Sequence, residues 1–155
     1  MKLQRKNRGE AWVAGQGLLF VLFVLAPAWE RPWAPMVRRA GIVMGAVTAV
    51  TGGALLGSAS WQLGRNLTPL PMPRPQSVLV QDGAYGLVRH PIYTGLVCLL
   101  LGGALATGRL TRVVVALAAV GFFDAKSRRE EAWLAERFPE YPLYRRRVAK
   151  LIPGL

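Results

Sequence analysis

Four apolar blocks organise the chain. They run over about residues 11–28, 37–63, 92–107 and 110–123, separated by basic or proline-rich stretches. A helix rises 1.5 Å per residue, so roughly 20 residues cross a ~30 Å hydrocarbon layer. The first two blocks meet that length. The last two are shorter and read as a tight helical hairpin turning at "TGRLTR", with the fourth helix running on into the charged stretch after it. The pattern predicts an all-α integral-membrane protein of four transmembrane helices, at about 11–28, 37–63, 91–107 and 110–126. A cytosolic loop, 64–90, and a C-terminal cytosolic segment, 127–155, complete a single membrane domain covering 1–155. The C-terminal segment is expected to carry an amphipathic helix that helps form a pocket.

Inside the second block a small residue recurs at every fourth position, Gly41, Gly45, Ala49, Gly53 and Gly57. Such a ridge lets a neighbouring helix backbone come close, and packing within the molecule is the expected use. "GGALLG" at 52–57 is no phosphate loop, because no strand precedes it.

Composition strengthens the membrane reading. The chain is 52% hydrophobic and still carries a formal net charge of +12. The two agree if apolar residues span a bilayer and basic ones lie beside headgroups, whereas a nucleic-acid binder would not carry such long apolar runs. With both termini in the cytoplasm, 15 of the 20 Lys and Arg fall on the inside, which favours that orientation in a bacterial-type cytoplasmic membrane. The basic "MKLQRKNR" imitates a signal peptide, but the apolar blocks that follow make the first one a membrane helix. One cysteine, Cys98, and one histidine, His90, allow no internal disulfide and no Cys/His metal site. Cys98 reads as a small packing residue.

The loop before the third block is long for a small domain, a usual mark of function. "PLPMPRP" is expected to be extended, and "QDG" at 81–83 to turn. The loop ends in "GLVRHPIYTG". Pro91 suits the first turn of a helix, which makes His90 its cap and leaves Arg89 just outside. The free N–H groups of that turn and Arg89 would together attract a carboxylate or phosphate. Arg89 has no partner within its own segment and needs an anion. As plain interface anchors, Arg89, Tyr85 and Tyr93 would be equally at home.

A second polar cluster follows the hairpin in "FFDAKSRREEAWLAERFPEYPLYRRR". Lys126 and Glu130, four apart, are expected to pair. Trp133 and Phe138 would face lipid if the helix were only a surface element. A hairpin brings Arg89, His90 and Tyr93 opposite Asp124, Glu130 and Glu131, and a pocket with a cationic and an anionic half suits a zwitterion. Glu130 and Glu131 point about 100° apart, so one faces the pocket while the other pairs with Lys126 or an arginine.

Taken together, Gly83-x-Tyr85, "RHPIYTG", the Glu130–Glu131 pair and "FPEYPLY" resemble the isoprenylcysteine carboxyl methyltransferase and phospholipid methyltransferase family of membrane enzymes. The resemblance covers about 63–153. It implies S-adenosylmethionine as cofactor and a lipophilic or lipidated acceptor, a prenylcysteine carboxylate or a lipid amine, presented from the membrane lipids. By that analogy Arg89, His90 and Tyr93 are the catalytic candidates. Residues Leu79, Val80, Gly83, Tyr85, Val88, Arg89, His90, Pro91, Tyr93, Glu130 and Glu131 would line the cofactor site, with the backbone of 79–83 along the adenosine. A carboxylate acceptor needs no general base, whereas an amine or thiol would turn to His90. "RHPxY" also occurs in NADPH-dependent sterol-reductase-like membrane enzymes, which gives a second reading. A non-enzymatic membrane scaffold or lipid-binding protein is a third.

Overall fold

The computed structural model describes residues 9–26 and 33–154, and among them every regular element is helical. The helices are α1 (Glu10–Leu25), α2 (Pro35–Leu63), α3 (Ala84–Leu87), α4 (Pro91–Thr107), α5 (Leu110–Arg137) and α6 (Tyr141–Arg147). A 3-10 turn, Gly64–Asn66, closes α2. The four apolar blocks become α1, α2, α4 and α5. Positions 27 and 28 of the first block, and the basic segment before Gly9, lie outside the described residues.

α2, with its 3-10 extension, is the one described helix long and apolar enough to cross a membrane by length and composition. α1 and α4 are apolar but only 16 and 17 residues long. The apolar side chains of α1, α2 and α5 are not all turned inward. Val24, Leu25, Val43, Val47, Val50, Val114 and Leu117 are each more than half exposed.

α2 and α4 are antiparallel and meet backbone to backbone. A Cβ on Gly102 would lie 2.6 Å from the Gly45 carbonyl oxygen, and one on Gly95 would lie 2.7 Å from that of Gly52. A Cβ on Gly41 would lie 2.7 Å from the Leu105 oxygen. Glycine on both sides therefore sets the approach distance. The four-residue ridge is corrected at its far end: Gly52 is buried in the seam, Gly53 meets only a Leu99 methyl at 3.9 Å, and Gly57 meets nothing. A step of four residues turns 400°, so the row drifts 40° each time and leaves the contact face. The true seam steps by three or four. Cys98 packs against this seam, where a Cβ on Gly52 would collide with its own.

α4 ends at Gly108, which takes a left-handed conformation (φ 61°) and donates its N–H to Ala104 and Leu105. This Schellman-like cap turns the chain back as α5, as the hairpin reading expects. α5 carries on past its apolar half into the charged stretch, as expected from the sequence. It runs unbroken to Arg137. The inward positions 116, 119, 123, 127 and 131 keep a helical spacing while their chemistry changes from alanine and phenylalanine to serine and glutamate. α1 packs on α5 through Trp12 and Phe122, whose rings meet tilted at 58° with centroids 5.4 Å apart.

The seam yields a direct test. Gly45→Leu should cost about 1–3 kcal/mol through overpacking, and Gly57→Leu should cost nothing. Thermal unfolding of the two purified variants in detergent measures the contrast; equal melting temperatures would contradict a close α2–α4 contact.

Candidate functional site

The loop 64–90 is not featureless. Gly83 (φ 59°) makes the turn after Asp82, and a Cβ there would strike the Gln62 side chain, 2.7 Å from its Cδ. The same Gln62 accepts the Ala84 N–H at 3.0 Å, which ties the start of α3 to the end of α2. Tyr85 and Val88 are buried beneath it. The chain then runs extended, and the backbone N–H groups of Arg89 and His90 donate to the carbonyls of Ala149 (2.8 Å) and Lys150 (3.1 Å). His90 caps α4 through its backbone and Pro91 is the first helical residue. This two-residue pairing clamps the C-terminal tail against the start of α4. Thr94 adds a bond to the Leu151 carbonyl at 2.8 Å.

The clamp aims Arg89 and His90 at α5. Arg89 Nε and His90 Nε2 both reach Glu131 Oε1, at 3.0 and 3.1 Å. Because an ionised carboxylate only accepts, His90 carries a proton on Nε2. Arg89 Nη1 donates to the carbonyls of Arg145 (3.1 Å) and Val148. The anion that Arg89 lacks within its own segment is Glu131, 42 residues away, and the Glu131 side chain is only 6% exposed. Burial acts to raise the Glu131 pKa. The hydrogen bonds and charges of His90 and Arg89 outweigh it and hold the carboxyl at about 2.

The neighbouring glutamate has a different role. Glu130 Oε2 accepts from the Tyr93 hydroxyl at 2.8 Å and lies 3.7 Å from His90 Nδ1. His90, Tyr93 and Phe123 form a stacked column, with ring centroids 5.5 and 5.1 Å apart. Lys126 does not make the expected ion pair with Glu130. Its buried Nζ donates to Gln16 (2.6 Å) and to the Pro69 carbonyl (3.1 Å), and sits 5.2 Å from the Tyr93 ring centroid. Asp124 turns away to Lys150 (2.7 Å) and Arg128.

A cavity of about 330 Å³ opens between these groups. Leu79, Val80, Tyr85, Arg89, His90, Pro91, Tyr93 and Glu130 line it. Gly83, Val88 and Glu131 do not: Gly83 shapes the turn, Val88 is core, and Glu131 holds Arg89 and His90 from behind. Sequence reasoning did not assign to the site Gln16, Lys126, Pro69, Tyr141 or Tyr144, all of which line the cavity. Gln16 carried a signal, as an isolated polar residue inside an apolar block. Tyr144 donates to the Tyr85 carbonyl at 2.7 Å, and burial pushes its pKa up to about 12. The Tyr141 hydroxyl lies near Glu131 without a hydrogen bond of good geometry.

Residues 40–141, which include most of α2, the loop, α4 and α5, match the family described as phospholipid methyltransferase. The chain belongs to the phospholipid methyltransferase family. Among curated proteins it is 40% identical over 86 residues to the cobalt-zinc-cadmium resistance protein CzcN of Cupriavidus metallidurans, covering 53% of this chain and 38% of that protein. It is 34% identical over 86 residues to the nickel-cobalt-cadmium resistance protein NccN of Alcaligenes xylosoxydans, covering 53% and 39%. It is 36% identical over 78 residues to the protein-S-isoprenylcysteine O-methyltransferase of Schizosaccharomyces pombe, covering 49% and 33%. The matched stretch is thus less than two fifths of each relative.

Two outcomes follow from the network of this family member. Glu131→Ala leaves Arg89 and His90 buried without their anion and should cost about 3–5 kcal/mol in detergent unfolding. Because the Glu131 pKa is depressed on folding, its contribution is complete above about pH 4.5 and is lost as the pH falls toward 2. Melting temperatures between pH 6 and pH 2.5 should therefore fall less steeply in Glu131→Gln than in the parent. Parallel slopes would show that the carboxylate is not held ionised.

Proposed function

We propose that this chain is an integral-membrane methyltransferase that uses S-adenosylmethionine to methylate a lipophilic acceptor. Four membrane helices, α1, α2, α4 and the apolar half of α5, would hold both termini on the cytoplasmic side. The exposed valines and leucines on α1, α2 and α5 favour a lipid surround, since water would penalise them. At 1.5 Å per residue α1 and α4 fall somewhat short of a ~30 Å hydrocarbon core, a mismatch that local thinning of the bilayer accommodates.

One observation carries the cofactor reading. Glu130 presents a carboxylate to a cavity whose other walls are largely apolar and aromatic, and the cavity volume falls in the small-molecule range of ~300–1,000 Å³. The donor set fits the amino-acid and sulfonium character of S-adenosylmethionine. Glu130 would take the α-amino group, and the ring of Tyr85 offers a π face to a cation. The extended backbone at Leu79 and Val80 offers its amide groups to the adenosine. When bound, the cofactor supplies an electrophilic methyl group on a sulfonium. The protein's part is to position and to exclude water, because in-line methyl transfer depends chiefly on alignment.

Both ring nitrogens of His90 face carboxylates. That favours a positioning role for His90 over that of a general base. Arg89 is likewise committed inward by Nε and Nη1 and holds the wall in shape. A prenylcysteine carboxylate or a lipid amine would enter from the bilayer.

Titration of S-adenosylmethionine into the purified protein tests this. The parent should bind it in preference to NADPH. Glu130→Gln should weaken binding by about 1.5–3 kcal/mol, the usual worth of a hydrogen bond to a charged group. NADPH binding with no S-adenosylmethionine binding would replace the reading with a reductase. Binding of neither would leave a scaffold or lipid-binding protein.

A further inference from the structure

Behind the buried Arg89–Glu131 pair lies a second concavity, of about 360 Å³, separate in chemistry from the first. Its walls carry Arg145, Arg146 and Arg147 from the last turn of α6, together with Leu87 of α3 and Arg89. We propose that this cleft binds the phosphate of an anionic phospholipid headgroup.

Three observations converge on that ligand. The arginine side chains are exposed, and Arg145 reaches only one carboxylate, Glu131 at 3.7 Å, among the described residues. A triplet of exposed guanidinium groups around a concave surface is matched by an oxyanion with several acceptor atoms, because each planar fork can pair with two oxygens. The cleft also sits at a defined level. Gly86, Leu87 and Arg89 line it within five residues of Pro91, where α4 begins, so it lies at the headgroup depth of the proposed membrane. Leu87, on its wall, is 60% exposed, and Leu143 and Ile152 of the same C-terminal region are 63% and 59% exposed. Apolar side chains next to arginines suit a lipid, which brings acyl chains with its phosphate, better than a free anion.

The cleft is joined to the first cavity by one residue. Arg89 lines both, and its Nη1 is bound to the carbonyls of Arg145 and Val148, which flank the cleft. An anion that orders the arginine turn therefore also orders the carbonyls that hold Arg89.

The inference rests on the membrane placement proposed above and not on methyl transfer. Its test needs no methyl donor, so its failure leaves the S-adenosylmethionine titration standing. Purified protein in neutral detergent is titrated with a short-chain phosphatidylglycerol, the matching phosphatidylcholine and inorganic phosphate. Binding is read by native mass spectrometry and by the shift in melting temperature. Phosphatidylglycerol should bind at least fivefold more tightly than phosphatidylcholine, weaken as salt is raised, and raise the melting temperature. Arg146→Gln with Arg147→Gln, both at exposed positions, should reduce its affinity at least fivefold. Arg146→Lys with Arg147→Lys should retain part of it. Equal affinity for the two lipids overturns the proposal, as does undiminished binding by the glutamine double variant. Inorganic phosphate binding as tightly as phosphatidylglycerol identifies a free anion and overturns the lipid assignment.

Discussion

One buried carboxylate, Glu131, stands at the meeting point of α4, α5 and the C-terminal tail. It accepts from Arg89 and His90 at the mouth of α4, and Arg89 in turn grips two carbonyls of the C-terminal tail. Taking such charges out of water is costly, so the pair forms only where every donor finds an acceptor. The surrounding architecture meets that condition. The tail pairs with the backbone of residues 89 and 90, and Lys150 closes the circuit by bonding Asp124. Three segments far apart in sequence are thereby fixed within one hydrogen-bonded knot.

The two adjacent glutamates show how a helix divides labour. A rotation of about 100° between neighbours sends Glu131 into the protein and Glu130 to the cavity wall. One stabilises the frame and the other lines the cavity, with Tyr93 as its companion. The aromatic column of His90, Tyr93 and Phe123 carries that polar corner down onto the apolar core.

Much of this was legible in the residues. The four helices followed from the apolar blocks, the hairpin from its glycine turn, and the cap from Pro91 following His90. The proximity of Arg89 to the glutamate pair followed from folding the hairpin shut. Other features depended on contacts that periodicity does not encode. The partner of Lys126 is Gln16, 110 positions away, and no local spacing points to it. The helical turn between Glu130 and Glu131 foretold that one would face the pocket and the other pair with a cation, but which did which depended on where α4 meets α5; the family resemblance alone had put Glu131 in the cofactor site as well. The glycine ridge was read with a period of four, and the real contact follows 3.6. The continuation of α5 into the charged stretch was legible because its inward face changes from apolar to polar without changing its rhythm.

The seam between α2 and α4 also determines which side of the cavity can yield. With carbonyl oxygens lodged where side chains would stand at Gly45, Gly52, Gly95 and Gly102, neither helix can slide by a residue without steric collision. α4 and the knot at its mouth therefore behave as a fixed wall. The opposite wall is the proline-rich segment and α1, tied to α5 by side-chain bonds from Lys126 and Arg137 to single carbonyls and by Lys126 to Gln16. Such bonds exchange one at a time, so breathing of the chamber falls to this side, and a bulky guest would displace a strap of prolines before it disturbed a helix.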